Sequence, residues 1–302
     1  MSRIKKLLLI DGNNLAHRVY WANKNMDYKG ANIACLYGFF KSLIGLRRKY
    51  DNGDYICVIA WDHGGSARRK KEASEGVESG IIPSGYKANR PSGGDISEDL
   101  ENIFAQMDQI REGLEFCRIL QVKIKGVEAD DVIYSYALKN RERGGQSIAV
   151  TSDQDYLQMI SNEVKVFDPM KKILWTQSRF TQEYGFEPNL WVDYGAIMGD
   201  SSDNIHGVSG WGPKTAMKYV QEHGSVEEIR SFLSKQEKLS KKEQVFLDSR
   251  ERLDLAYSLK QMDYISEIPK TKFSKEYSTK DIVGFLEGFG FKTLIRDAWR
   301  LM

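Results

Sequence analysis

The amino-acid sequence predicts an α/β fold, with a mainly parallel β-sheet flanked by helices and a helical C-terminal region. In the first half, short apolar runs alternate with segments of helical periodicity, which is typical of βαβ units. From about residue 181 onward the strand signals fade and helical patterns follow. The 302 residues, 41% of them hydrophobic, supply enough material for one large or two modest cores. We therefore expect an α/β core over residues 1–180 and a helical region over residues 181–302.

The individual elements follow from these patterns. Short apolar runs predict strands at residues 6–10, 55–60 and 147–150. Helical periodicity predicts helices at residues 33–50, 96–116, 130–141, 215–223, 226–233, 242–259 and 281–300. Residues 64–95 interrupt the alternation with a polar stretch rich in Gly and Ser. A stretch of this length inside a compact domain indicates a functional loop or a linker.

Several classes of protein are excluded by composition. The longest aliphatic run, residues 7–10, is far shorter than the roughly 18 residues that span a bilayer, and it is too short for a signal peptide. We therefore expect a soluble, cytoplasmic protein without a membrane partner. The cysteines, Cys35, Cys57 and Cys117, are too widely spaced for a disulfide framework or a zinc site, so each is expected to be buried. The net charge of +2 carries no general signature of nucleic-acid binding.

Acidic residues follow all three predicted strands. Asp11, Asp62 and Asp153 each come within three residues of a strand end. Ligands of an open α/β sheet bind at the carboxyl ends of its parallel strands, so these carboxylates are expected to lie along one edge. Taken singly, each Asp is explained equally well as a helix N-cap or a turn residue.

Further acids are too many to be explained as helix N-caps or turn residues alone. They form three clusters, at Glu128, Asp130 and Asp131, at Asp153 and Asp155, and at Asp200 and Asp203. The helix macrodipole favours one carboxylate in a first helical turn, but it does not account for two or three. If all of these acids converge, the pocket needs cations, because two carboxylates 5 Å apart repel by roughly 3 kcal/mol at an effective dielectric of 20.

The ligand chemistry indicates two hard metal ions. Oxygen ligands without His or Cys favour Mg²⁺ or Mn²⁺, and so many acids exceed what one hydrated Mg²⁺ needs. Two such ions about 4 Å apart are the arrangement used for phosphodiester hydrolysis. A phosphate-receiver domain would require fewer acids and no basic loop. A haloacid-dehalogenase-type phosphatase would place Asp-x-Asp directly after the first strand, where this chain has Asp11-Gly-Asn-Asn.

A glycine-rich segment, GVSGWGPKTA at residues 207–216, precedes a predicted helix. Pro213 stands where a P-loop needs Gly next to Lys, which argues against ATP binding. A plain helix entry is one explanation. The alternative is a helix-hairpin-helix that holds a duplex backbone through backbone N–H groups and charge, using Gly207, Gly210, Gly212, Lys214 and Thr215.

A basic loop begins shortly after Asp62. Its first cations are Arg68, Arg69, Lys70 and Lys71. They form either a solvated helix face or the sides of a loop that lies above the metal site. Further along, Tyr86, Lys87 and Arg90 combine an aromatic ring with two cations. Such a group can stack a base and bind phosphate oxygens.

Several ordered motifs resemble the 5′-nuclease and flap endonuclease family, which includes the 5′-3′ exonuclease domain of bacterial DNA polymerase I and free-standing bacteriophage enzymes. The likeness runs from IDG at residues 10–12 to FGFKTL at residues 289–294. It includes YKANRP at 86–91, GVEADDV at 126–132, TSDQDYLQ at 151–158, and GDSSDNI at 199–205 followed by the glycine segment. Because no polymerase sequence is attached, the phage type is the closer comparison. The resemblance implies a PIN-like sheet, a helical arch at about residues 64–95 and a helix-hairpin-helix.

The resemblance also implies roles for individual residues. The first metal ion would be bound by Asp11, Asp62, Glu128 and Asp130, and the second, more open site by Asp131, Asp153, Asp155, Asp200 and Asp203. Lys87 and Arg90 match positions that contact the scissile phosphate, Tyr86 matches a stacking position, and Arg18 resembles a basic position nearby. The residues expected to act in catalysis are therefore Lys87, Arg90, Asp11, Asp62, Asp130, Asp153 and Asp155.

The implied function is a structure-specific, two-metal 5′ nuclease of replication or repair. Its partners would be DNA with 5′ flaps, nicks or 5′ ends, RNA primers among them, and a K⁺ ion at the hairpin. The chain is expected to be a monomer. His206, Trp211 and Pro213 depart from the usual hairpin pattern, which bears on the K⁺ geometry. A PIN-like ribonuclease would share the acidic pocket without needing the hairpin, and a non-catalytic junction-binding protein would be expected to lack one of the acids.

Overall fold

The computed structural model describes residues 6–50, 55–90, 97–268 and 276–302. Its strands are β1 Lys6–Asp11, β2 Asp27–Tyr28, β3 Ala31–Asn32, β4 Tyr55–Trp61, β5 Leu120–Lys123, β6 Gln146–Val150, β7 Val164–Asp168 and β8 Ile173–Trp175. Its α-helices are α1 Gly12–Asn23, α2 Ala34–Tyr50, α3 Ala67–Glu78, α4 Glu98–Phe116, α5 Ala129–Glu142, α6 Gln177–Tyr184, α7 Trp191–Met198, α8 Pro213–His223, α9 Val226–Leu233, α10 Lys241–Asp248, α11 Arg250–Lys260, α12 Thr279–Gly288 and α13 Lys292–Ile295. Short 3₁₀ turns cover Gln154–Met159, Pro188–Leu190 and Ala298–Leu301.

The main sheet has six strands in the order β5-β4-β1-β6-β7-β8. Every pairing in it is parallel except β7 with β8, and β1 lies between β4 and β6. The predicted mainly parallel α/β fold with a helical C-terminal region is confirmed. The three predicted strands occur within one residue of their expected bounds, and they are the adjacent strands β4, β1 and β6.

Side chains on opposite faces of β1 enter two different cores. Leu8 and Ile10 pack among α1, α2 and α4, where Ile282 and Leu286 of α12 also lie. Leu7 and Leu9 pack on the other face with α5, α7 and α8. This alternation follows from the two-residue period of a strand. Helices of the C-terminal half therefore cover both faces of the sheet.

Some elements were not predicted, and some predicted helices are broken. Strands β5, β7 and β8 and helix α1 were missed. The helix expected at 242–259 is divided at Ser249 into α10 and α11, and the one expected at 281–300 is divided into α12, α13 and a 3₁₀ turn. Gly290 explains the second break, because its φ of +73° is a left-handed conformation and an added Cβ would lie 2.5 Å from the Tyr28 ring.

Two sequence predictions can be compared only in part. Residue 96, the expected start of α4, and residues 91–95 of the expected arch lie outside the described residues; within the rest of the arch, residues 67–78 form helix α3. The three cysteines are buried thiols, as expected. Within the described ranges, none of the helices combines the length and apolarity needed to cross a bilayer.

Candidate active site

The sheet places three acids at one edge. Asp11 is the last residue of β1, Asp62 follows β4 directly, and Asp153 lies three residues beyond the end of β6. The strands are parallel and in register, with Asp11 opposite Ala60 and Ile10 opposite Val150. All three carboxylates consequently line one cavity of about 610 Å³.

The same three carboxylates also hold local structure. Asp11 accepts a hydrogen bond from the Asn14 N–H at 2.9 Å and caps α1. Asp62 accepts from the Ala129 N–H at 2.8 Å, where α5 begins, and Asp153 accepts from the Asp155 N–H at 2.9 Å. The three acids therefore cap local structure and line the pocket at the same time. This is expected because a helix that starts at a strand end directs its first N–H groups at the acid.

Further acids line the same region. The 610 Å³ cavity also contains Glu128, Asp130, Asp155 and Asp203. An adjoining cavity of about 410 Å³ is lined by Asp153, Asp155, Asp200 and Asp203. The carboxylates of Asp155, Asp200 and Asp203 offer oxygens that all lie within 4.8 Å of one another. The structure thus brings eight of the predicted metal-binding acids into two connected cavities.

Asp131 is the exception, and its expected role as a metal ligand is corrected. It is 1% exposed and lines neither cavity. Its carboxylate accepts hydrogen bonds from Arg69 at 2.8 Å and from the Asp263 N–H at 2.7 Å. Asp131 follows Asp130 in α5, but adjacent helical positions point about 100° apart, so only one of the two faces the cavity.

Arg69 also differs from its prediction. Its side chain is buried and pairs with three acids, at 2.5 Å from Glu128, 3.1 Å from Asp130 and 2.8 Å from Asp131. An enclosed guanidinium cannot meet a DNA phosphate, so its assignment to DNA binding is wrong in this structure. Arg69 instead holds the acids of α5 in place, since a buried cation is stable only where carboxylates compensate its lost hydration.

The neighbouring cations of α3 divide between packing and solvent. Arg68 ties α3 to α11, with its guanidinium 2.6 Å from Asp263 and 2.9 Å from the Ser258 carbonyl. It is thus a clamp between helices, and the proposed contact with DNA is not supported by its position. Lys70 and Lys71 are exposed and remain available to a phosphate backbone. The alternative of a solvated helix face therefore holds only for Lys70 and Lys71.

The last part of the loop is docked onto the acids. The Lys87 ammonium lies 2.6 Å from Glu128 Oε1, and the Lys87 N–H donates to the Asp203 carbonyl at 2.9 Å. Arg90 is 54% exposed in its side chain and lies 2.6 Å from Asp203. Arg18 is exposed and lines both cavities. These three cations therefore line the acidic pocket.

Tyr86 does not fit the expected stacking role. It is 8% exposed, and its hydroxyl donates to Glu128 at 3.0 Å and to Asp203 at 3.2 Å. The Lys87 ammonium lies over its ring, 4.7 Å from the centroid. With its hydroxyl held by two acids and one ring face covered, Tyr86 supports the pocket wall and does not offer a free face to a base.

Sequence reasoning missed Lys260, the last residue of α11. Its ammonium lies 2.6 Å from Asp155 and 2.9 Å from Asp200, and the residue is 7% exposed. A signal was present in the sequence. Lys260 continues the buried stripe that includes Leu253 and Ala256, at helical spacings of three and four residues, and a lysine at an apolar position calls for a buried acid partner.

The glycine segment begins in the loop between α7 and α8. Asp200 and Ile205 form an antiparallel bridge earlier in this loop, and an added Cβ on Gly207 would lie 2.4 Å from the Gly199 nitrogen. Gly210 has a φ of +77°. Gly212, in contrast, has open space around it. Close backbone approach thus explains Gly207, and a left-handed turn explains Gly210.

Two of the three residues that depart from the family pattern, Trp211 and Pro213, have structural roles. Trp211 is buried, donates from Nε1 to the Lys242 carbonyl at 2.9 Å and packs against Phe246. Pro213 is the first residue of α8, where a missing N–H costs no helical hydrogen bond. Lys214 is exposed beside it, and Thr215 is half-buried. The helix–loop–helix geometry is therefore compatible with holding a backbone at the start of α8.

Comparison with known families decides the relationship. Residues 6–185 match the family model described as 5′-3′ exonuclease, N-terminal resolvase-like domain, and residues 186–281 match 5′-3′ exonuclease, C-terminal SAM fold. The chain belongs to the 5′-3′ exonuclease family.

Individual relatives support the assignment of this chain to the 5′-3′ exonuclease family. It is 30% identical to the thermostable DNA polymerase I of Thermus thermophilus over 97% of its own length but 33% of the polymerase. It is 32% identical to a 5′-3′ exonuclease of Aquifex aeolicus (strain VF5), covering 75% of this chain and 72% of that protein. The chain thus spans about a third of the polymerase relatives it matches.

Solved structures share the fold. The T5 5′-exonuclease with bound zinc superimposes with a TM-score of 0.67 at 21% identity, covering 98% of both chains. Flap endonuclease-1 from Methanococcus jannaschii gives a TM-score of 0.58 at 16% identity, covering 99% of this chain and 92% of that one. The sheet and the helical region of the exonuclease-family chain are thus arranged as in these enzymes.

The acids of the exonuclease-family site are unevenly compensated. Burial, followed by the charge of Asp62, raises the pKa of Asp11 to about 8, and burial with the charge of Asp155 raises the pKa of Asp153 to about 7. Burial also acts on Asp200, but the Lys260 ammonium outweighs it and lowers the pKa of Asp200 to about 2. Among the described residues no ion pair joins a cation to Asp11 or Asp153, so these two acids hold protons that a divalent ion would displace. The all-oxygen donor set of the site fits a hard divalent ion.

Without divalent ions, we expect the free energy of unfolding to fall between about pH 4 and pH 8. The raised pKa values keep Asp11 and Asp153 protonated in the folded chain, whereas unfolded carboxyl groups ionise near pH 4. The folded state then binds more protons, so raising the pH lowers stability. In EDTA, the melting temperature should drop by on the order of 5 °C from pH 5 to pH 8, and Mg²⁺ should restore it mainly at pH 8. A melting temperature that rises over this range would contradict the assignment.

Proposed function

We propose that this chain is a structure-specific 5′ nuclease that hydrolyses DNA phosphodiesters near junctions between single strand and duplex. The observation that carries the proposal is the convergence of Asp11, Asp62 and Asp153 at one sheet edge, with Lys87 and Arg90 beside them. Membership of the 5′-3′ exonuclease family supports it. The substrates would be 5′ flaps, nicks and 5′ ends of DNA, including ends that carry RNA primers.

The acids divide naturally between two divalent ions, Mg²⁺ or its substitute Mn²⁺. Asp11, Asp62, Glu128 and Asp130 would hold the first ion, and Asp153, Asp155, Asp200 and Asp203 the second. When bound, such ions supply an activated water and neutralise the leaving oxygen. The proposed products are a 5′-phosphate and a 3′-hydroxyl.

The chain's own cations would position the phosphate. Lys87 and Arg90 already contact Glu128 and Asp203, so a phosphodiester entering between the acids would meet both side chains. Arg18 lies at the junction of the two cavities and would guide the strand. Preorganised cations of this kind stabilise charge that develops on the phosphate.

A defined set of substrates tests the activity. A 5′-labelled flap, a nicked duplex, a single strand and a flap made of RNA are each incubated with Mg²⁺ or with EDTA, and product lengths are read on a gel. We expect Mg²⁺-dependent cuts at the junction of the flap. Cleavage restricted to RNA would indicate a PIN-like ribonuclease. Junction binding without cleavage in either Mg²⁺ or Mn²⁺ would indicate a non-catalytic binding protein.

We propose further that the loop before α8 grips duplex backbone through its N–H groups, with a K⁺ ion at Gly207 and Gly210. Lys214→Ala should weaken duplex binding by about tenfold while leaving the single-turnover cleavage rate at saturating enzyme within about twofold. The reason is that Lys214 lies on the exposed start of α8 and lines neither acidic cavity. Binding is measured by fluorescence anisotropy at several salt concentrations, because phosphate contacts are weakened by added salt.

Lys41→Ala is the matched control, since Lys41 is exposed on α2, which packs on the opposite face of the sheet from α8. If Lys214→Ala and Lys41→Ala bind duplex with equal affinity, the glycine segment is a plain helix entry and does not grip DNA.

A further inference from the structure

Lys260 places a fixed positive charge at the acids proposed for the second ion. Its ammonium contacts both Asp155 oxygens, at 2.6 and 2.8 Å, and Asp200 at 2.9 Å. These are two of the three acids whose oxygens lie within 4.8 Å of one another. A divalent ion bound between Asp155 and Asp200 would use the same oxygens, so the ammonium and the ion compete for one place.

The end of α11 is held so that the Lys260 backbone cannot withdraw. The Lys260 carbonyl accepts from Gln158 at 3.0 Å, and the Met262 N–H donates back to the same Gln158 side chain at 3.1 Å. The intervening Gln261 carbonyl accepts from both Arg68 and Arg69, at 3.0 and 3.2 Å. Any displacement of the ammonium is therefore limited to rotation of the side chain.

The packing of α7 also leaves room for the Lys260 side chain. Gly195 lies in the interior of α7, a position where glycine is unfavourable for the helix itself. An added Cβ there would lie 3.2 Å from Lys260 Cε, a tight contact. Because residue 195 has no side chain, the aliphatic part of Lys260 fits against α7. The Lys260 ammonium can then reach Asp155 and Asp200.

We infer that Lys260 is a built-in counter-ion that makes the second metal site weak. It neutralises Asp155 and Asp200 in the metal-free chain, and a second divalent ion binds only by displacing it. Lys260 contacts none of the acids proposed for the first ion, so removing its charge should leave the affinity of that ion nearly unchanged. Glu128 and Asp130 of the first site have separate cation partners, Lys87 and Arg69. The proposal therefore predicts that only the affinity of the second ion depends on Lys260. The inference rests on the proposed two-metal function.

Mn²⁺ binding to the metal-stripped full chain tests this without an activity assay. Free Mn²⁺ is followed by electron paramagnetic resonance while the ion is titrated in. For the unchanged chain we expect one tight ion and a second at least tenfold weaker. Lys260→Gln and Lys260→Met should strengthen the second ion at least tenfold and leave the first within about threefold, a change of about 1.4 kcal/mol per factor of ten. Lys260→Arg, which keeps the charge, should leave the second ion weak.

Lys24→Gln is the matched control, because the Lys24 ammonium pairs with Asp99 at 2.7 Å and neither residue lines the acidic cavities. Equal second-ion affinity in Lys260→Gln and Lys24→Gln, with the first ion intact, would overturn the inference and leave the two-metal proposal standing. Absence of any Mn²⁺ binding would instead overturn the two-metal proposal. If the Lys260 variants fail to fold, the unchanged chain decides, since two ions of equal affinity would also overturn the inference.

Discussion

Asp153→Asn should lower the single-turnover rate of flap hydrolysis by a factor on the order of 10³ while leaving flap affinity within about threefold. Asp153 lines both cavities, so its charge serves the place where the two proposed ions meet. The fold should survive, because an amide oxygen can still accept the 2.9 Å hydrogen bond from the Asp155 N–H. The rate is measured at saturating enzyme in Mg²⁺, and affinity is measured in Ca²⁺ or EDTA.

Asp108→Asn provides the control, since Asp108 is an exposed acid on α4 outside both cavities. It removes the same charge and should cleave at the normal rate. Near-normal turnover of Asp153→Asn in Mg²⁺ would remove Asp153 from the reaction and weaken the assignment of the second ion.

Lys87→Ala should reduce the single-turnover rate at saturating DNA by a factor on the order of 10², the size expected for one preorganised electrostatic contact. The Lys87 ammonium lies 2.6 Å from Glu128 and 3.8 Å from Asp203. Its backbone is held by the hydrogen bond to the Asp203 carbonyl, so the charge is aimed into the pocket before substrate arrives. Arg90→Ala should behave similarly, since Arg90 pairs with the same Asp203.

Lys70→Ala is the matched control for this loop. Lys70 is exposed on α3, and its ammonium donates to the Gly64 carbonyl at 2.6 Å without contacting an acid of the pocket. We expect its removal to act on association alone, through weaker electrostatic steering. If Lys87→Ala changes only KM and keeps the single-turnover rate, Lys87 binds the ground state and the transition state equally well, and the loop is a binding device.

Local patterns were sufficient for the central sheet and its acidic edge. The strands β1, β4 and β6 are short apolar runs buried on both faces, and such runs are visible in a sequence. Parallel strands in one sheet end on the same side, so the convergence of Asp11, Asp62 and Asp153 followed from topology alone. Strands β5 and β7 were missed because Gln121 and Lys165 interrupt their apolar residues, and β8 because it has only three residues.

The roles of the cations depended on packing that no local pattern records. Arg69 and Lys70 are neighbours in one basic run, yet one is buried among acids and the other is exposed. The difference arises because α3 lies against α11 and α5, and successive positions of a helix face different directions.

By itself, the sequence determined the fold class, the strand-end acids and the family, because each depends on nearby residues or on motifs in a fixed order. Only the tertiary structure decided which acids face the pocket and which cations accompany them. Asp131 turns away from the cavity to meet Arg69, and Lys260 reaches Asp155 across 105 positions of the chain. Such pairings are settled by how helices pack, since a buried charge is stable only where the fold brings an opposite charge to it.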